Sequence, residues 1–298
     1  YEKVTASPYR GQGLWGKMRA IGSLLVAVMY TGIQFIRWRP GCVLTTGGYV
    51  GLGAGLAAKA LGIPLIVSEQ NAKAGTVNRL LAPMASAVFT AFPQVFPAVK
   101  KDVLIESGNP LRQEIALLAK ENSGKPRKNK RKKFVIMVIG GSQGASILNQ
   151  HLPALLGVLQ EKNNVQVYHQ CGRGKEQVAR VEKAYRAQGL ACEVLEYYDN
   201  IIDYYQQANM IMARAGALSL SEIINLEIPC VTIPLANAID NHQWENARYY
   251  EQRGACWIIE EGDLGNKKKL ANLVTILRNS PQKYESMQAA CRKVSQYN

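Results

Sequence analysis

Short apolar runs alternate with helix-like stretches along most of the 298-residue chain. In the second half, six runs have the length and composition of buried strands, at 134–139, 165–169, 192–195, 210–213, 230–233 and 256–259. Stretches with the 3.6-residue periodicity of helices lie between them. Because strands that alternate with helices form parallel sheets, this half is predicted to be a complete doubly wound α/β domain.

The first half shows the same alternation of predicted strands and helices, but with fewer elements. Apolar runs at 42–46, 63–67, 86–91 and 103–106 predict about four strands, with helices at 51–61 and up to Leu81. We therefore expect a similar domain whose opening units are missing. The predicted boundaries are 1–124 for this domain, 125–133 for a linker and 134–298 for the second domain.

Positive charge is concentrated in two places, residues 125–133 and residues 1–39. The net charge is +14, and residues 125–133 (KPRKNKRKK) carry seven Lys and Arg without an acid. Such a run is typical of an interdomain linker, of an anionic-lipid contact or of a nucleic-acid contact. Since no RNA- or DNA-binding motif accompanies it, we expect no nucleic-acid partner.

Residues 20–36 are uncharged and are flanked by Lys17, Arg19, Arg37 and Arg39. Seventeen residues fall short of the ~20 that a bilayer-spanning helix needs. The stretch predicts either a buried core helix or an amphipathic helix whose basic ends rest on an anionic membrane surface. These two interpretations are compatible with each other.

Metal and disulfide chemistry are not expected. The six cysteines include no CxxC pair, and the three histidines form no HExxH motif. This usage predicts a reduced, cytosolic chain without a zinc site or another cofactor.

Glycine-rich turns follow several of the predicted strands. The loop Gly140, Gly141, Ser142, Gln143, Gly144 separates a buried strand from a helix, where backbone N–H groups and the helix N-terminus can hold a phosphate. It is not a Walker A loop, because no Gly-Lys-Ser/Thr follows. A plain strand–helix turn is the alternative.

A second small-residue turn, RAGALSLSE at 214–222, opens the helix after strand 210–213. Glu222 lies in the first turns of that helix, where a carboxylate can accept hydrogen bonds from a ribose diol or simply complement the helix dipole. Further on, Asp240, Asn241, His242 and Gln243 form a polar cluster that could bind sugar hydroxyls, and His242 is a candidate general base.

The first half carries three further motifs just past strand ends, where α/β sheets bind their ligands. They are Gly47-Gly48-Tyr49-Val50-Gly51, Glu69-Gln70-Asn71 and Gly108-Asn109-Pro110-Leu111-Arg112. Arg112 could pair with a phosphate or be an ordinary surface arginine.

The motifs GGYVG, EQN, GNPLR, GGSQGA, RAGALSLSE and PLANAIDNHQ occur in an order that resembles the MurG family. These enzymes transfer N-acetylglucosamine (GlcNAc) from UDP-GlcNAc to lipid I, which is undecaprenyl-pyrophosphoryl-MurNAc-pentapeptide, in peptidoglycan synthesis. The resemblance covers residues 5–295. It implies a GT-B fold, in which two Rossmann-like domains with parallel sheets face a cleft, and an inverting, metal-independent transfer to the MurNAc 4-hydroxyl at the cytoplasmic face of the bacterial plasma membrane.

The resemblance also implies roles for individual residues. The loop at 140–144, with Ser142, would contact the donor diphosphate, Tyr198 would lie near the uracil, and Glu222 would hold the ribose. Asn71 and Gln243 would lie at the donor sugar, and Arg112 would line the donor site. The remaining implied contacts are Ala217, Leu218, Ser219, Leu220 and Ser221 around the nucleotide, and Gly47, Gly48 and Tyr49 on the acceptor side.

The chain departs from the family pattern in places. The family's GGTGGH loop does not occur in these 298 residues, Ser68 stands where the family usually has His, and we expect the family's last helix to be unfinished at Asn298. The catalytic residue is therefore left unassigned, and donor binding is expected to survive better than transfer. The alternatives are another UDP-GlcNAc-dependent GT-B enzyme, namely a 2-epimerase or a soluble glycosyltransferase, and an inactive donor-binding fragment.

Overall fold

The computed structural model describes residues 14–125, 133–140 and 146–295, which form two compact units, Tyr1–Asn109 and Pro110–Asn298. Both are α/β units in which every strand pairing is parallel. The α/β class and the strand pattern predicted from the sequence are confirmed. No helix in these described ranges has both the length and the apolarity to cross a membrane.

The N-terminal unit has a four-stranded sheet in which the strands lie in chain order. Its strands are β1 Val43–Thr45, β2 Leu65–Glu69, β3 Ala87–Thr90 and β4 Leu104–Glu106, and its helices are α1 Leu14–Trp38, α2 Gly48–Ala60 and α3 Thr76–Leu81. Its core is built by apolar side chains of the central strands and of the helices, including Leu65, Val67, Leu81 and Val88.

Two glycines within α2 allow its neighbours to pack closely. A Cβ atom at Gly53 would lie 3.2 Å from the Ala27 Cβ of α1, and one at Gly55 would lie 2.6 Å from Leu81 Cδ1 at the end of α3. Glycine lowers helix propensity, but here the loss is offset by the tight packing that it allows between α2 and its neighbours α1 and α3.

The C-terminal unit has a six-stranded sheet of order β10-β9-β8-β5-β6-β7. The strands are β5 Phe134–Ile139, β6 Val165–Gln170, β7 Ala191–Leu195, β8 Met210–Ala213, β9 Cys230–Thr232 and β10 Trp257–Ile258. The helices are α4 Gln113–Asn122, α5 Ser146–Leu156, α6 Lys175–Ala187, α7 Ile201–Gln207, α8 Ala217–Asn225, α9 His242–Glu251, α10 Lys267–Asn279 and α11 Pro281–Val294.

In this strand order β5, the first strand of the sheet along the chain, lies at the centre of the sheet. Chain order runs outward from β5 through β6 to β7, and then outward on the other side from β8 through β9 to β10. The loops after β5 and β8 therefore diverge at the point where the winding direction reverses. Doubly wound sheets bind their ligands at such a point, outside the carboxyl ends of the strands.

The two units divide between Asn109 and Pro110, earlier than the linker at 125–133 that the charge pattern suggested. Helix α4 packs against α8, and the segment that follows it is fastened to the C-terminal unit by Glu227. The carboxylate of Glu227 accepts a hydrogen bond from Gly124 N at 3.3 Å and pairs with Arg292 at 2.7 Å. Residues 126–132 of the basic run lie outside the described residues.

Candidate active site

The switch point of the C-terminal sheet carries the first of the predicted phosphate-binding turns. Gly140 directly follows β5, its N–H donates to Gln170 O at 3.4 Å, and α5 begins six residues later at Ser146. Gly141, Ser142, Gln143 and Gly144 lie outside the described residues, so their roles stay predictions. A strand ends before this loop and a helix begins after it, as predicted.

Helix α8 begins at the same edge of the sheet, after β8 and Gly216. Its N-cap residue, Gly216, has no side chain to cap the first turn, and a helix start of this kind carries leading N–H groups and partial positive charge. Leu218 is exposed, and Ala217 and Ser219 are partly buried. Leu220 and Ser221 face the core, so their side chains are not available to a ligand.

Glu222 lies in the second turn of α8, and three hydrogen bonds hold its carboxylate. Arg112 approaches in a bidentate manner, with Nε to Oε1 and Nη2 to Oε2 both at 2.9 Å. The hydroxyl of Tyr205 also donates to Oε2, at 3.2 Å. The hydrogen bond to Glu222 raises the pKa of the Arg112 guanidinium, and burial raises that of Tyr205, so both groups stay protonated donors. Arg112 and Glu222, 110 residues apart in sequence, thus form one cluster.

Tyrosines follow strand β7 where the uracil was predicted to bind. Tyr198 is buried, its ring lies 4.0 Å from that of Tyr204, and its hydroxyl donates to Glu193 O at 3.4 Å. Tyr204 donates to Glu193 Oε1 at 2.6 Å. Because the Tyr198 ring is buried, only its backbone could contact a base, and its role at the uracil stays a prediction.

The polar cluster after β9 surrounds the start of α9. Gln243 Oε1 accepts from Leu235 N at 3.1 Å, and His242 begins the helix with its side chain partly exposed. Asp240 and Asn241 have φ angles of 55° and 57°, which strain the turn that leads into this helix. Next to them is an open pocket of about 310 Å³, lined by Pro234, Leu235, Ala236, Asn241, Trp244, Glu260, Glu261 and Gly262.

Arg214 connects the carboxyl ends of three neighbouring strands. It follows β8, donates to Ile233 O at 3.0 Å after β9, and pairs with Glu261 at 2.5 Å after β10. This cross-link joins the loop that leads into α8, the helix of Glu222, to the segment after β9, which leads towards α9, the helix of Gln243. The sequence showed Arg214 as part of a motif, but its partners are 19 and 47 positions away, so no local pattern indicated them.

A buried polar network supports α5, the helix that follows the glycine-rich loop. The ring nitrogens of His169 contact Tyr185 Oη and Asn149 Oδ1, both at 2.9 Å, and Asn149 Nδ2 donates to Cys171 O at 2.8 Å. Burial lowers the pKa of His169 to about 3 from its ordinary value of 6.5. The neutral imidazole therefore ties β6, α5 and α6 together.

Acid should destabilise the C-terminal unit through His169. Between pH 6.5 and about 3 the unfolded chain binds a proton at this residue and the folded chain does not. Stability contributed by the neutral ring is therefore complete above pH 6.5 and is lost as the pH falls, by up to ~1.4 kcal/mol per pH unit. Urea unfolding from pH 7.5 to 4.5 should show this slope, and His169→Gln should reduce it. An unchanged slope in the variant would contradict the assignment.

In the N-terminal unit, Glu69 organises the EQN turn after β2. Its buried carboxylate accepts from Asn71 N and Asn71 Nδ2, both at 3.0 Å, from Gly75 N at 2.9 Å and from Asn78 Nδ2 at 2.8 Å. Oε1 serves the two donors of Asn71, and Oε2 serves the other two. The conformation of Asn71, the predicted donor-sugar contact, is thus set by Glu69.

Asn78 also adjoins the glycine turn that begins α2. Gly47 and Gly48 have φ angles of 94° and 76°, and a Cβ atom at Gly47 would lie 3.1 Å from Asn78 Oδ1. Both the left-handed backbone and the close side chain require glycine at 47. Tyr49 is exposed in the first turn of α2. Asn78 thus links Gly47 to Glu69 of the EQN turn, and the acceptor role of Gly47, Gly48 and Tyr49 stays a prediction.

Both halves of the chain match models of one family. Residues 135–297 match the glycosyltransferase family 28 C-terminal domain, and residues 1–90 match the glycosyltransferase family 28 N-terminal domain.

Relatives with similar sequences share one name. The chain is 37% identical over 294 residues to the UDP-N-acetylglucosamine–N-acetylmuramyl-(pentapeptide) pyrophosphoryl-undecaprenol N-acetylglucosamine transferase of Nitrosococcus oceani, with 98% of this chain and 80% of that protein covered. It is 35% identical over 292 residues to the protein of that name in Pseudomonas fluorescens, with 98% and 79% covered.

Solved structures agree with the GT-B fold class predicted from the sequence. Acinetobacter baumannii MurG has a TM-score of 0.77 and 31% identity, with 93% of this chain and 75% of that chain covered. The UDP-GlcNAc 2-epimerase of Neisseria meningitidis has a TM-score of 0.64 and 13% identity, with 98% and 80% covered, and that likeness concerns the fold alone.

Proposed function

Because the chain belongs to glycosyltransferase family 28, we propose that it transfers GlcNAc from UDP-GlcNAc to the 4-hydroxyl of the MurNAc unit of lipid I, which makes lipid II. The observation that carries this proposal is the match, over nearly the whole chain, to transferases named for that reaction. The 2-epimerase alternative has only a similarity of fold in its favour.

The C-terminal unit is the donor-binding unit in this proposal. The uridine diphosphate lies outside the switch point, with its ribose on Glu222 and its uracil at the backbone of Tyr198. The diphosphate contacts the loop at 140–144 and the start of α8, where N–H groups and helix dipoles stabilise negative charge. Gln243 contacts the GlcNAc hydroxyls.

Charge stabilisation is the main catalytic contribution of these groups. As the bond from the sugar C1 to the diphosphate breaks, negative charge grows on the departing UDP, and prearranged N–H donors and Arg112 stabilise it without a metal ion. The attacking 4-hydroxyl approaches C1 from the opposite face, which inverts the configuration, and must lose its proton to a base. His242, at the start of α9 beside Gln243, is the candidate base.

Product analysis tests the reaction itself. The chain is incubated with radiolabelled UDP-GlcNAc and a soluble lipid I analogue, and the expected product is a β-linked GlcNAc–MurNAc lipid with release of UDP. Formation of UDP-N-acetylmannosamine would support the epimerase instead. UDP binding without any transfer would identify a donor-binding protein and would contradict the proposed activity.

We also propose that α1 rests on the anionic cytoplasmic surface of the plasma membrane, as a peripheral contact. The face of α1 that packs on α2 carries Ala27, Thr31 and Gln34, all buried. The opposite face exposes a row of large apolar side chains, namely Leu25, Val26, Met29, Ile33 and Ile36. One face of the helix is thus a core contact, and the exposed face supports the proposed membrane contact.

Basic residues flank this exposed face. Arg19, Arg37 and Arg39 are exposed near its two ends, and Trp38 is exposed beside them. An apolar face with cationic ends and an interfacial tryptophan fits a bilayer that carries negative headgroups.

Vesicle binding should depend on the exposed face of α1. The double variant Met29→Glu, Ile33→Glu should lose at least tenfold in co-sedimentation with phosphatidylglycerol vesicles, because two charges would enter the headgroup–acyl boundary. Leu117→Glu is the matched control, since Leu117 is equally exposed on α4 of the other unit and should bind normally. If both variants lost vesicle binding equally, or if the double variant lost none, the exposed face of α1 would be excluded as the membrane contact.

A further inference from the structure

The carboxylate of Glu222 has more donors than it can keep when a ribose binds. A carboxylate offers about four lone-pair sites, and donors from the described residues take three of them. A ribose diol needs two sites, one for each hydroxyl. At least one of the present donors must therefore leave.

Burial decides which donor can leave. The side chain of Arg112 is 44% exposed, so its guanidinium can turn into solvent or onto a phosphate without crossing the core. Tyr205 is 1% exposed, lies on α7 and reaches the carboxylate with its hydroxyl. The phenol has no comparable freedom, and it stays in place when Arg112 is displaced.

We infer that Tyr205 is a positioning residue for the donor site, which holds the Glu222 carboxylate in the orientation that accepts the two ribose hydroxyls. This inference rests on the proposed function, because it assumes that Glu222 binds the ribose of UDP-GlcNAc. Without the phenol, the carboxylate would lose its last fixed partner at the moment Arg112 departs, and the ribose would have to order it.

No motif indicated Tyr205, because Tyr205 and Glu222 are far apart in the sequence. It lies 17 residues before Glu222, on a separate short helix. Its hydroxyl touches the carboxylate, and nothing in the proposed arrangement requires it to touch the nucleotide. Its effect should therefore depend on whether the ligand has ribose hydroxyls.

The test compares two nucleotides on two tyrosine variants. Binding of UDP and of 2′,3′-dideoxyuridine diphosphate is measured by calorimetry on the wild-type chain, on Tyr205→Phe and on Tyr204→Phe. Tyr205→Phe should weaken UDP binding by about 5- to 10-fold, the order expected for losing a hydrogen bond that orders a charged group, and dideoxy-UDP binding by less than about twofold. The KM for UDP-GlcNAc should rise while kcat stays within about twofold.

Tyr204→Phe is the matched control, because it removes the same atom from the neighbouring residue, whose hydroxyl bonds to Glu193 rather than Glu222. Any loss it causes should be equal for the two nucleotides. Should Tyr205→Phe fail to fold, as judged by thermal unfolding, Tyr205→Met carries the same comparison.

The outcomes separate this inference from the function on which it rests. If the wild-type chain binds UDP and Tyr205→Phe weakens both nucleotides equally, or neither, then the inference is overturned and the proposed function stands. If the wild-type chain binds no uridine nucleotide, the proposed function fails and the inference fails with it.

Discussion

Glu222→Ala is expected to weaken UDP-GlcNAc binding by about 1–3 kcal/mol, or roughly 5- to 150-fold in affinity. The side chain is held by Arg112 and Tyr205 in the second turn of α8, with 13% of its surface exposed. Once Arg112 turns away, the carboxylate that Tyr205 still holds can accept both ribose hydroxyls, and its removal leaves them without a charged acceptor. Calorimetric titration with UDP-GlcNAc at constant salt measures the loss directly.

The control for this prediction is Glu182→Ala. Glu182 is also paired with an arginine of the same unit, Arg186, but on the outer face of α6. It should bind UDP-GlcNAc as the wild-type chain does. If Glu222→Ala keeps full affinity while it remains folded, the ribose role of Glu222 is refuted.

The largest effect on stability is expected for Glu69→Gln, at about 2–5 kcal/mol in the N-terminal unit. Four donors converge on this buried carboxylate, two on each oxygen. Glutamine retains one oxygen and places an NH₂ group against the other two donors, each of which then costs about 1–3 kcal/mol as an unsatisfied buried group. Because the two units need not unfold together, hydrogen exchange of peptides from residues 65–81 is the suitable measurement.

Glu106→Gln provides the comparison for Glu69. It is another glutamate at the end of a strand in the same sheet, but its side chain is exposed. Its substitution should change the opening free energy by no more than about 0.5 kcal/mol. Similar exchange in the two variants would show that the hydrogen bonds of Glu69 contribute little.

The strands and their order along the chain could be predicted because each is an apolar run bounded by turn residues. The run at 134–139 became β5 and that at 210–213 became β8, and their pairing in the centre of the sheet follows from the doubly wound pattern. The glycine turn at 47–48 could be predicted equally well, because its positive φ angles are strained for residues other than glycine.

Contacts between distant segments could not be predicted in this way. The hydrogen bond from Tyr205 to Glu222, the hold of Glu69 on Asn71 and Asn78, and the ion pair of Arg214 with Glu261 depend on how loops meet at a sheet edge. Periodicity determines which face of an element is apolar, but it does not determine which polar tips converge. The assignment of α4 to the C-terminal unit is a similar case, because it depends on packing against α8 rather than on composition.

A crystal structure of this chain with UDP-GlcNAc tests the central claim most directly. The account predicts the diphosphate outside the carboxyl ends of β5 and β8, the ribose hydroxyls within hydrogen-bonding distance of the Glu222 carboxylate, and Tyr205 still bonded to that carboxylate. A uridine bound anywhere else on the C-terminal unit, or a ribose that does not contact Glu222, would contradict it.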